Sequence, residues 1–360
     1  MTELVQFSTA ESGAWREALR RFAPGDDIYF RPEYAAISEA NGEGQAECLL
    51  VTEGASALLL PVLKQSIPGH PALCDVQSPY GYGGPLVVGA EAGFLGRAWR
   101  LIREKWLHDG VVAAFLRGHP LVANEGWFGP EWEVTFNRTT LAVDLRQGAV
   151  AAFAHPGARK HRRDTVQALR SGATVHFLPL EATALGRFRQ LYSATMQRLG
   201  AGAEYFFSAA YFSALAAQFG DAASLVEVRE SAEGETLSMA LIFWGPQWAH
   251  YHLSGRHGEG GNASHLLLQA VAEEAARRNL DALHLGGGRT PAPEDSLLRF
   301  KHWIGNATHR FHTARLTVNR DAYNDLVAAW RAAHPEDMPT WFLAYRESPR
   351  SHPKPLIETS

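Results

Sequence analysis

The run from His284 to Gly305, HLGGGRTPAPEDSLLRFKHWIG, holds residue types that could carry acyl chemistry. An apolar stretch, Leu280-Asp281-Ala282-Leu283-His284-Leu285, leads into three glycines, Gly286, Gly287 and Gly288. Glycine leaves the main chain bare, so a ligand or another segment can lie against it. Pro291 and Pro293 mark a loop, and Asp295-Ser296 reads as the start of a helix carrying Phe300 and Lys301. A helix start offers free N–H groups, and a lysine nearby adds a fixed cation; both suit an anion or a developing oxyanion. The same pattern also describes a plain strand-to-helix connection with a surface lysine. No general base stands out, and Asp295 and Asp75 are the candidates.

Three further stretches could bind substrate. The loop Arg256-His-Gly-Glu-Gly-Gly261 follows a strand and opens a helix, a position from which backbone N–H groups can hold phosphates. Arg256, Gly258 and Gly260 are its candidate donor-binding residues, and a flexible glycine loop is the alternative. Ser78-Pro-Tyr-Gly-Tyr-Gly-Gly-Pro85 sets Tyr80 and Tyr82 between glycines. Such rings are rigid platforms with polar tips for a sugar or peptide, or plugs of a domain surface. The basic run Arg159-Lys-His-Arg-Arg163 points to Arg159 and Arg162 as phosphate contacts, or to a solvated helix face. No metal ligand set is expected, since His250-x-His252 has no partner at ligand spacing, although both side chains would share one strand face. His265, His284 and His302 read as polar core or interface residues. G-x-S-x-G, H-E-x-x-H, C-x-x-C and Walker patterns do not occur.

At 360 residues the chain exceeds one ordinary core, so two domains are expected. A hydrophobic fraction of 46% with 20% charged residues suits a soluble globular protein. The net charge of −4 provides no global basic field for long nucleic acid. Two cysteines, Cys48 and Cys74, cannot build a disulfide framework or a four-thiolate site. Met1–Gly13 lacks the pattern of a secretory signal, and no run is long enough to span a membrane. A cytoplasmic protein is the expectation.

These residues sit on a loosely repeated α/β plan. The first half reads helix 11–23, an extended piece over 27–34 running into a helix, a hairpin over 46–52 and 56–64, a helix over 89–109, and strands 111–117 and 138–144. Pro61 lies within the hairpin, where its missing N–H should face an edge or a bulge. The second half reads helices 155–171, 183–199 and 211–219, strand 173–177, and a hairpin over 224–230 and 236–244. Strand 248–254, helix 265–279, strand 280–285, the Lys301 helix, strand 311–318 and helix 322–333 follow. The expected fold is α/β (α+β), with a boundary near 145–152: an N-terminal domain 1–149, a C-terminal domain 150–335 and a loose tail 336–360.

Asp27-Ile-Tyr-Phe-Arg-Pro-Glu-Tyr34, Ser78–Pro85, Leu191-Tyr-Ser-Ala-Thr-Met-Gln-Arg198, Tyr251-His-Leu-Ser254, Leu285–Gly288 and Phe300-Lys301 occur in one order. Together they resemble the FemAB/FemX-like branch of the GNAT acyltransferase superfamily over residues 27–318. The resemblance implies two tandem GNAT-like domains, each a mixed, mostly antiparallel sheet flanked by helices. It implies transfer of an aminoacyl group from aminoacyl-tRNA to an amine, with peptidoglycan precursors as the acceptors of studied members. Lys301 then supports the transition state, and Tyr80 and Tyr82 hold a nucleotide-sugar peptide. Tyr205, Tyr251, Gly286, Gly287 and Phe300 are further substrate-binding candidates. No tightly bound cofactor is implied; the donor is aminoacyl-tRNA or acyl-CoA. An acetyl-CoA-dependent N-acetyltransferase and a non-catalytic precursor-binding module are the alternatives. The family's charged coiled-coil arm is absent, which, with the acidic net charge, weakens the implication of tRNA binding.

Overall fold

The computed structural model describes residues 2–23, 25–202, 205–258, 261–339 and 341–347. The chain opens with β1 (Glu3–Ser8) and α1 (Ser12–Leu19). Asp27 then caps a 3-10 turn over Ile28–Phe30 by accepting from Tyr29 N. Arg31 is extended, and Pro32 begins α2 (Pro32–Ala40). The extended piece expected over 27–34 is therefore mostly helical: proline's fixed φ and missing N–H suit the first helical turn. Strands β2 (Gln45–Glu53), β3 (Ser56–Ile67), β4 (His70–Gln77) and β5 (Leu86–Val88) come next. Helix α3 (Phe94–His108), β6 (Val111–Arg117) and β7 (Glu133–Asp144) end the first half.

The second half runs α4 (Ala149–Ala152), α5 (Arg159–Arg170), β8 (Thr174–Leu178), α6 (Ala182–Arg198) and α7 (Ala209–Phe219). It continues through β9 (Ala223–Arg229), β10 (Thr236–Trp244), β11 (Trp248–Arg256), α8 (Gly261–Arg277) and β12 (Ala282–Gly287). Helix α9 (Ser296–His302), β13 (Ala307–Thr317) and α10 (Arg320–Ala333) complete it.

All these strands join one sheet, ordered β1-β2-β3-β4-β6-β13-β7-β12-β11-β10-β9-β8, with β5 paired to β3. Two pairs are parallel, β4 with β6 and β11 with β12, and the crossover between each pair includes a helix, α3 or α8. The series β2-β3-β4-β6 and β9-β10-β11-β12 therefore repeat one plan. Their closing strands are exchanged: β7 follows β6 yet lies beside β12, and β13 follows β12 yet lies beside β6. Pro61 pairs with Cys48 on one side; on the other, β5 pairs up to Leu59 and β4 pairs from Leu63. Its missing N–H thus falls in the gap between two partners, which is how proline survives inside a sheet.

Leu49, Leu60, Trp106 and Val111 pack the core of the first half. In the second half, Leu267, Val271 and Leu283 pack one cluster, and Phe188, Leu215 and Phe243 pack another. Ile28, Tyr34 and Ile37 from the first half enter that last cluster, so the stretch around α2 ties the halves together. Within the stretch expected to be a loose tail, Leu343 is buried against Ile67, Val112 and Leu326, and Arg346 ion-pairs with Asp75. Residues 348–360 lie outside the described residues. Among the described residues, no helix is long and apolar enough to cross a membrane.

Candidate active site

Parallel pairing of β11 with β12 runs only from Trp248↔Ala282 to His250↔His284. Beyond it, β12 pairs on its other side alone, Gly286 with Leu141 and Gly287 with Thr140 of β7. Among the described residues, one edge of the glycine stretch is therefore left without a strand partner. Lys301, 6% exposed, reaches this place from α9 and donates to Gly287 O at 2.7 Å. Gly286 has φ +75, and a Cβ there would lie 3.3 Å from Lys301 Nζ and 3.4 Å from Tyr82 Oη. Glycine thus serves twice, supplying the left-handed backbone and leaving the space between an amine and a phenol.

Each partner is held firmly. Asp295 caps α9, accepting from Leu297 N and Leu298 N, both at 2.9 Å, and from Thr290 N at 3.2 Å. Burial opposes its ionisation, yet these backbone bonds hold its carboxyl below the usual range. Burial lowers the Lys301 amine to about 7; Asp295 pulls it up and Arg138 pushes it further down. Arg138 spends its donors on Asn137 Oδ1 and on the carbonyls of Gly288 and Arg289. A Cβ on Gly287 would sit 2.8 Å from Arg138 Cδ, so the side chain lies flat along the glycine backbone. The result is a buried amine beside a guanidinium that carries no ion pair among the described residues.

The tyrosine loop is clamped from beneath. Asn124 Nδ2 donates to Gly83 O at 2.8 Å and Pro85 O at 3.0 Å, while Asn124 Oδ1 accepts from His119 N at 2.8 Å. Tyr34 Oη donates to Tyr80 O at 2.6 Å. Gly81, at φ +97, has no room for a side chain, since a Cβ would fall 2.4 Å from Tyr29 Cε1. Tyr82 meets Tyr29, His119, His284 and Phe311 edge-on, with ring centroids between 4.9 and 5.7 Å away. Burial, with Tyr80 adding to it, raises the Tyr82 phenol above its ordinary pKa, so it stays a neutral donor.

Behind Tyr82 lies a buried polar group that local sequence spacing did not reveal. His250 Nε2 approaches Asp27 Oδ2 at 2.6 Å, and His119 Nε2 stands 3.5 Å from Asp27 Oδ1. Burial disfavours the Asp27 charge, but the two imidazoles hold its carboxyl well below the carboxylate range. These ligand atoms lie within 4.8 Å of one another, as a metal site would need. Val122 N, however, donates to His119 Nδ1 at 3.3 Å, which places the proton of a neutral ring on Nε2. The group therefore reads as a carboxylate hydrogen-bonded to His250 Nε2, with His119 Nε2 facing its other oxygen. His252 faces the same cluster, between Tyr29 Oη at 3.1 Å and Tyr211 Oη at 2.7 Å. Burial drops its imidazole to about 3, so it is neutral. The shared face expected for His250 and His252 is present, and their partners come from the chain's other half and from α7.

Tyr80 and Tyr205 meet at 6.2 Å, so the structure brings them together. Tyr251 and Phe300 pack against the cluster containing Leu267, whereas Tyr80 and Tyr82 pack against the one containing Phe243. Arg256 is tied into the fold, its N–H donating to Thr195 Oγ1 and its carbonyl accepting from Arg198. Gly258 has φ +50, and Gly260 lies outside the described residues. Arg159 and Arg162 are exposed on α5; Arg162 donates to the carbonyls of Phe153 and His155. Arg162, Arg163 and Arg170 line a surface groove of about 450 Å³ together with Val166 and Gln167. Asp75 is paired with Arg346, and Asp295 is committed to its cap. His265 and His284 are buried as expected, while His302 is exposed.

Residues 157–302 match the family model described as an acetyltransferase (GNAT) domain, a span reaching from the start of α5 to the end of α9. The crystal structure of FemX superposes with a TM-score of 0.66 at 15% identity, covering 89% of this chain and 99% of that one. The C-terminal domain of a putative lysylphosphatidylglycerol synthetase from Agrobacterium fabrum gives 0.52 at 12% identity, covering 91% and 96%. A tandem GNAT protein from the clavulanic acid biosynthesis pathway gives 0.50 at 13%, covering 88% and 98%. No curated protein matches the sequence. The fold is thus of the GNAT class, built as two such units. More narrowly, the fold is similar to that of FemX over most of both chains.

Proposed function

We propose that this protein is an acyltransferase that moves an aminoacyl or acyl group from an activated ester or thioester onto an amine. The acceptor is a cell-envelope, polysaccharide or natural-product precursor, and the reaction belongs in the cytoplasm. The observation that carries this reading is the convergence of Lys301 Nζ and Tyr82 Oη on the bare backbone of Gly286, where β11 and β12 part. A neutral amine attacks the acyl carbonyl, the C–N bond forms, and negative charge collects on oxygen. The Lys301 ammonium, buried and aimed by its bond to Gly287 O, stabilises that oxyanion with Tyr82 as a second donor. The C–O or C–S bond then breaks, and the amine proton leaves with the departing group. One preorganised oxyanion donor is worth ~10²–10³ in rate.

The aminoacyl ester is the preferred donor, in keeping with the FemX-like fold. An acyl-CoA is the second reading, favoured by the match of residues 157–302 to an acetyltransferase family. Under either reading the proposed division of the chain is 1–149 and 150–335, with the exchanged β7 and β13 joining the parts. A transfer assay with charged tRNA, run beside thermal protection by acetyl-CoA, tests the proposal. Amide product from either donor supports it, and the donor that yields product selects the reading. Neither product nor protection with a panel of amines refutes it.

A further inference from the structure

Arg117 closes β6 opposite Thr313 of β13. Its side chain is largely buried. A guanidinium carries five N–H donors and remains charged in proteins. Among the described residues only one bond from it is present, from Nη1 to Ser78 O at 3.0 Å. Its flat group lies 5.5 Å from the centre of the Phe115 ring. The phenols of Tyr80, Tyr34 and Tyr205 and the carboxylate of Glu43 act on it electrostatically. Glu43 forms no ion pair with it; that carboxylate instead accepts from Asn41 Nδ2 at 2.6 Å.

Other largely buried arginines differ. Arg346 is paired with Asp75, Arg229 with Glu227, and Arg138 is bonded to two carbonyls and an amide. A desolvated cation without a counter-ion is costly, and an unused planar fork matches the two oxygens of a carboxylate or phosphate. Arg117 stands by Tyr80, whereas Lys301 stands by Tyr82, two residues along the same clamped loop.

We propose that Arg117 is an anion subsite for the acceptor, its free N–H fork binding a carboxylate or phosphate remote from the reacting amine. Tyr80 and Tyr205 form the wall beside it. This rests on the amine-acceptor reading above, and it adds that the acceptor is a zwitterion or an aminated phosphate compound.

Calorimetric titration of the full chain, at constant ionic strength, uses sodium pyrophosphate and N-acetylglycine as separate probes. One of them should saturate at one site per chain, which also tells phosphate from carboxylate. Arg117→Met should weaken that binding at least tenfold and Arg117→Lys at least threefold, while Lys301→Met and Arg162→Ala should bind like the parent. Should the methionine variant fail to fold, the lysine variant decides, because it keeps the charge and loses the fork. Failure of both probes to saturate the parent, or parental affinity in the folded Arg117 variant, overturns the proposal. Neither probe carries an amine, so anion binding can fail while acyl transfer stands, or the reverse.

Discussion

The low pKa of Lys301 gives acyl transfer a pH dependence with a definite sign. Burial brings the amine from the ordinary lysine value of 10.5 to about 7. At pH 6 roughly 90% of the folded protein carries the ammonium, and at pH 8 roughly 90% is neutral. If the ammonium stabilises the oxyanion, transfer through Lys301 fades above about pH 7. The attacking amine must also lose its proton, which raises the rate with pH and hides the effect in the parent enzyme. Other ionising groups titrate in the same way in parent and variant. A ratio cancels these terms: kcat/KM of the parent divided by that of Lys301→Arg, whose guanidinium stays charged throughout. That ratio should fall roughly tenfold per pH unit above about 7 and level off below it. A ratio that rises with pH would show a neutral Lys301 acting as a base and would refute the oxyanion role. Stability should follow the same titration. The folded pKa lies below the unfolded one, so the charged form is disfavoured in the fold. Stability therefore rises with pH from about 7 to about 10.5, by a ceiling on the order of 5 kcal/mol. Chemical denaturation across that window should show the slope in the parent and not in Lys301→Met.

Further outcomes follow from the same geometry. Gly286→Ala places a methyl between Lys301 Nζ and Tyr82 Oη on a left-handed backbone. It should cost about 1–2 kcal/mol in denaturation and most of the transfer rate. Tyr82→Phe should lower kcat by about tenfold with an unchanged melting temperature, because its ring contacts remain and its hydroxyl does not. Asn124→Ala removes three buried bonds to the tyrosine loop and to His119 N. A loss of about 2–3 kcal/mol and a raised KM are expected, measured by urea titration and initial rates. Burial holds His161 and His265 at about 4 each, and they share a 3.0 Å contact. Below the unfolded histidine pKa the unfolded chain binds more protons, so stability should fall from about pH 6.5 towards 4. His161→Gln should flatten that fall in a pH series of melts.

Elements with strong local periodicity were legible in the sequence. The hairpin of β9 and β10, helix α6, strand β6 and the capped Lys301 helix stand within a few residues of their expected places. The Ser78–Pro85 loop was legible because glycine and proline exclude regular structure there. What could not be read depends on distance along the chain. The exchange of β7 and β13 leaves no local trace, since any β-strand pattern pairs equally well with several neighbours. Asp27 and His250 are 223 residues apart, and nothing in either segment announces the other. Strand β1, at the sheet edge, and β4, with its first three residues exposed, lack the apolar alternation that marks a strand. Arg117 sits at the end of an apolar run, where its missing counter-ion becomes visible only in three dimensions. Lys301 shows the complementary case: its sequence setting suggested a cation for a developing oxyanion, and the structure adds the burial that lowers its pKa.

The central claim is that Lys301 stabilises the acyl-transfer transition state beside Gly286. Single-turnover amide formation by the parent and by Lys301→Met, with the donor that supports transfer, tests it most directly. An intact melting profile and a transfer rate lowered ~10²–10³-fold are expected in the variant. A folded Lys301→Met that forms amide at the parental rate would contradict it.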